Sequence, residues 1–155
     1  MHAVESSGLG VWMRESLWAY PAAETLHIVG IALLYGSLMV VELRLLGLGR
    51  RIPVAHLARL TLPWSLTGFA LAAVMGIGMF SAHAAEFIDQ RLFMLKMGLI
   101  LAAGINAAIF HSGPFVAVAR WDTDARPPLS ARVAALVSIV LWTGVIVCGR
   151  MLAYV

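Results

Sequence analysis

Residues 63–84 contain no Asp, Glu, Lys or Arg, and this run decides most of what the chain can become. About 20 apolar residues at 1.5 Å each are enough to cross a hydrocarbon core of about 30 Å as a helix. Three more runs reach that length, at 22–46, 91–112 and 130–153. A bilayer offers no water to backbone N–H and C=O groups, so a spanning segment must satisfy them internally. The sustained period-two alternation of a membrane barrel is absent. The expectation is all-α: an integral membrane four-helix bundle, one transmembrane domain over 1–155. A short N-terminal interfacial helix is expected over 9–20, where Trp12, Leu17, Trp18 and Tyr20 lie among Arg14 and Glu15.

Composition points the same way. Hydrophobic residues make up 61% and charged residues 12%, against about 25% charged in soluble domains. The formal charge of +3 reads as topology rather than as nucleic-acid binding, and the lipid bilayer is the expected partner. A single cysteine, Cys148, excludes an intrachain disulfide and a cysteine zinc ribbon. The first residues lack the basic region, apolar core and small-residue site of a cleaved leader.

Basic residues set the expected orientation. The 42–62 loop carries Arg44, Arg50, Arg51 and Arg59, and the 113–132 loop carries Arg120, Arg126 and Arg132. The other side has Arg14, Arg91, Lys96 and Arg150. Seven against four places both termini on the periplasmic side of a bacterial inner membrane. The stretch RRIPVAHLARLTLP, 50–63, reads as a loop or interfacial turn, with the second helix starting near Pro63.

An ionisable side chain inside an apolar span is costly and marks a candidate site. His27, three residues after Glu24 and on the same helical face, sits just inside the first span. At the same expected depth are Met79 and His83, Lys96, and Cys148 with Arg150. Gly68, Ala72, Gly76, Met79 and His83 form one stripe at helical spacing. Small residues on it would let a helix or a flat cofactor approach closely. Two axial ligands, His27 with His83 or Lys96, would suit haem b, with Arg91 and Arg150 meeting its propionates. Alternatively His27, Met79 and His83 would hold copper, since thioether and imidazole suit Cu(I). A third reading is a polar cluster of Glu24, His27 and Lys96 that only locks helices. Glu24-x-x-His27 has the spacing of a di-iron motif but no second copy follows. On the opposite side, His56 and His111 would serve a second haem, and GIG at 76–78 lies mid-helix, so it is no nucleotide loop.

His27, ELRLLG, FSAHAAEF and FMLKMGLILAAGINAAIFH together resemble a group of uncharacterised bacterial four-helix membrane proteins. More distantly, the first-helix histidine and the lysine opening the third helix resemble the copper-resistance D and protoporphyrinogen oxidase J families. The resemblance implies His27 as a ligand and Lys96 as a second ligand or essential partner. Where the oxidase relatives carry a histidine about three turns after that lysine, this chain has Asn106 and Ala107. The resulting expectation is a haem b electron-transfer or membrane-anchor subunit rather than a stand-alone enzyme, with the haem on the periplasmic side. Quinone and a partner subunit or second copy are its expected associates. The alternatives are a copper-handling membrane protein and a cofactor-free structural subunit.

Overall fold

The computed structural model describes residues 2–152 and 154, with the side chains of His2 and Ala3 outside the description. The described residues form helices and no strands. In chain order these are α1 (His2–Glu5), α2 (Gly8–Glu15), α3 (Ala19–Leu46), α4 (Val54–Ala82), α5 (Ala84–Asp89), α6 (Arg91–Ser112), a 3-10 helix (Pro114–Arg120) and α7 (Leu129–Met151). Four of them, α3, α4, α6 and α7, are long and apolar enough to cross a membrane. Only 6–28% of the residues in their most apolar windows are buried within the protein. Ile77, Leu101, Ile109 and Val140 are each more than 60% exposed. Apolar surface on this scale needs lipid around it. The chain is a multi-pass membrane protein.

Two compact units divide the chain: Met1–Tyr35 with Trp64–Arg91, and Gly36–Pro63 with Leu92–Val155. In the first, α3 and α4 meet backbone to backbone. A Cβ on Gly30 would lie 2.7 Å from the Ala72 nitrogen and 2.8 Å from the Gly68 oxygen. A Cβ on Gly68 would lie 2.5 Å from the Leu34 nitrogen. Only glycine lets the helices approach this closely. In the second unit all four long helices share a core: Leu45 of α3, Val54 of α4, Phe110 of α6, and Ala131 and Ala135 of α7 gather around Trp121.

Boundaries differ from expectation at α2, α3 and α4. The segment expected to lie in the interface over 9–20 is α2 followed by a turn, with α3 already under way at Ala19 and Pro21 in its first turn. Trp12 and Trp18 are exposed, as headgroup-level aromatics would be, and so is Leu17. Helix α4 begins at Val54, so most of the basic stretch 50–63 is helical and Pro63 lies inside the helix. Its first amides are held from afar. The Val54 N–H donates to the Asp122 carbonyl at 3.1 Å and the Ala55 N–H to Asp122 Oδ1 at 2.7 Å. Pro63 removes only its own bond to the Arg59 carbonyl, a loss a 29-residue helix tolerates. At its other end α4 stops at Ala82 rather than 84, because His83 leaves helical geometry (φ −139°, ψ 43°) and caps the unforeseen α5.

Candidate functional site

His27 faces α4 within the first unit. Its Nδ1 lies 2.6 Å from the Ala72 carbonyl oxygen. A carbonyl only accepts, so Nδ1 carries the hydrogen and a neutral ring keeps its lone pair on Nε2. The ring rests against Gly76, where a Cβ would come within 3.2 Å of Cε1. The small-residue stripe therefore has occupants already: the α3 backbone at Gly68 and Ala72, and the His27 ring at Gly76. A flat cofactor does not lie on that stripe between α3 and α4.

Met79 continues down the stripe into an apolar cluster. Met13 of α2, 3% exposed, packs there with Ala19, Ala23 and Ala82, and Met75 and Met79 close over it. Methionines from two helices thus pack on one cluster. His83 lies past the end of α4, seven residues beyond Gly76, a rise of about 10 Å along a helix. Its Nδ1 is 3.5 Å from Glu86 Oε2, and its ring meets Tyr20 edge-on at 5.9 Å between centroids. The structure does not bring His83 to His27.

Two residues that the motifs did not single out fasten this end. Arg14 donates to the Ala82 carbonyl at 2.8 Å and to the Glu5 carbonyl at 2.7 Å. Glu5 Oε1 accepts from the Ala85 N–H at 2.8 Å. Both serve the junction where α4 ends and α5 begins, as side chains satisfying orphan helix-end groups do. With Ser6, Ala82, His83 and Glu86 they line an open cleft.

Lys96 and Arg150 belong to the second unit. Lys96 of α6 lies over Gly149 of α7, whose added Cβ would be 3.4 Å from Nζ. Arg150 is engaged with Tyr154, through a 2.5 Å hydrogen bond to its hydroxyl and by stacking at 4.9 Å over its ring. Arg91 is the exposed first residue of α6, in the first unit.

The chain belongs to DUF6644, a family of unknown function. The match covers residues 5–155 and so takes in both units and each of these side chains. No curated protein and no solved structure matches the chain.

The histidines at the other end of this DUF6644 chain are surface residues. His56 is exposed on the first turn of α4. His111 is exposed near the end of α6, its ring edge-on to Phe110 at 5.3 Å and to Phe115 at 5.1 Å. Among the described residues no three His, Cys, Asp or Glu side chains group as a metal site. Chemically, the DUF6644 site offers one oriented imidazole, a thioether cluster and a polar cleft, all in the first unit.

Proposed function

We propose that this DUF6644 protein is a small b-type haem-binding subunit of a bacterial inner membrane, serving electron transfer or anchoring, with a quinone as its electron partner. Both termini and the haem lie on the periplasmic side in this reading, following the excess of arginine in the 42–62 and 113–132 loops. One observation carries it: the His27 ring is held by an Nδ1–H···O=C bond to Ala72. A second partner that fixes tautomer and ring plane is the usual support of a metal-binding histidine. Ala72 orients the ring, Gly76 gives it room, and the imidazole would be the iron ligand. Bound haem would supply one-electron chemistry. The spacing along α4 counts against His83 as the opposite ligand.

The experiment is an optical spectrum of the detergent-purified protein. A reduced-minus-oxidised spectrum should show Soret and α bands. His27→Ala should abolish them, and His83→Ala and His111→Ala should leave them intact. A spectrum without either band sinks the haem reading.

The methionines favour a second reading, copper handling, because Met13, Met75 and Met79 pack on one cluster and thioethers suit Cu(I). Metal analysis of the same sample should then find copper near one per chain, lost in Met79→Leu. If neither haem nor copper is present, the His27–Ala72 bond is a packing contact of a cofactor-free subunit.

A further inference from the structure

The second unit carries a surface with a different chemistry. Arg44, in the last turn of α3, is 2% exposed. Its Nε donates to the Ile52 carbonyl at 2.7 Å, and its Nη2 to the carbonyls of Arg50 at 2.9 Å and Asp122 at 3.0 Å. The Asp124 N–H donates to the Arg50 carbonyl at 3.0 Å. These bonds fasten the α3–α4 turn to the segment after the 3-10 helix. Two arginine-bearing stretches far apart in sequence become one surface.

On these stretches and the helix turns beside them, Arg50, Arg51, Arg59, Arg120, Arg126 and Arg132 are exposed. The unit has three acids to set against them. Glu42 is 5% exposed and hydrogen-bonded to Ser138, and the Asp122 carboxylate accepts from the Ala55 N–H. Asp124 alone of the three is exposed. Apolar side chains stand between the arginines: Leu48 at 60%, Ile52 at 47%, Leu60 at 59%, Val116 at 75% and Leu129 at 71% exposure.

We propose that this arginine-and-aliphatic surface binds the headgroups of anionic phospholipids. Guanidinium forks grip phosphate oxygens two at a time, where an ammonium offers a point charge. Basic clusters next to a membrane-spanning helix are drawn to anionic leaflets. The interleaved aliphatic residues decide between phosphate sources. A nucleic acid or a soluble phosphate gives leucine and valine nothing to enter, whereas a lipid offers acyl chains below its phosphate. The surface adjoins apolar helices that already need lipid.

The test uses the full chain in detergent, with phosphatidylglycerol or phosphatidylcholine added. Lipids retained are counted by native mass spectrometry and the unfolding midpoint is followed. Wild type should retain phosphatidylglycerol about tenfold over phosphatidylcholine and melt higher with it, and about 0.5 M salt should erase most of the difference, as screening demands. The variant R51Q/R59Q/R126Q/R132Q leaves Arg44 and its bonds in place and should lose the preference. The variant R91Q/R150Q, with as many charges removed as R126Q/R132Q alone, should keep it. Equal retention of the two lipids would overturn the proposal. So would a preference surviving in the fourfold variant, or an equal rise in midpoint with inorganic phosphate or a short DNA duplex. Should the fourfold variant fail to fold, the salt titration of wild type decides: a preference untouched by salt also overturns it.

Discussion

Arg44 shows how one residue sets the shape of a whole turn. A charged side chain almost never becomes fully buried without partners, and Arg44 meets three backbone carbonyls instead of a carboxylate. The turn it holds contains Gly47 at φ 113° and Gly49 at φ 60°, conformations that favour glycine. Arg44→Ala takes a donor from three carbonyls, of which those of Arg50 and Asp122 keep a backbone N–H. Since hydrogen bonds to charged groups contribute about 1.5–3 kcal/mol each and do not add simply, a loss of about 3 kcal/mol is expected. Denaturant unfolding in detergent measures it. Arg44→Lys should recover only part, because one ammonium cannot span the geometry of the fork. A full recovery by lysine would mean that charge, not geometry, matters here.

At the scale of elements, glycines in the long helices range between two extremes. Gly30 and Gly68 sit where α3 and α4 touch, with less than 3 Å available to a Cβ. Gly36, Gly98 and Gly104 have open space around them. Gly68→Ala should therefore destabilise by about 1–3 kcal/mol through overpacking, and Gly104→Ala should stabilise by up to about 1 kcal/mol through helix propensity. Thermal unfolding of the two single variants reads both signs, and equal effects would deny the close crossing. The stripe Gly68, Ala72, Gly76 was legible before any coordinates, as were the four spans, because apolar periodicity and length are local properties. Its occupant was not legible, since small residues admit a helix or a cofactor equally. The early start of α4 and the break at His83 were hidden for a related reason. Asp122 caps one and Glu5 and Arg14 hold the other, over separations of 67 to 80 residues that leave no local mark. The spacing of His83 from His27 follows from where His27 meets α4, at Gly76, a register that only the packing of the two helices sets.

For the whole molecule, the arginine count predicts which end faces the cytoplasm, and labelling in intact cells tests it. Cys148 is buried, so the native chain gives a quiet background. Glu15→Cys should react with a membrane-impermeant maleimide from outside, and Thr123→Cys should react only after the membrane is opened. The reverse pattern would invert the topology and move His27 to the cytoplasmic side. The hold of Asp122 on the start of α4 also dictates an order of assembly. Synthesis proceeds from the N-terminus, so α4 leaves the ribosome before its capping residue exists. Its leading amides stay without that acceptor until α6 has followed and the chain has returned to the same side. The later half of the chain thus supplies a cap to the earlier half, and a product truncated before residue 122 would lack it.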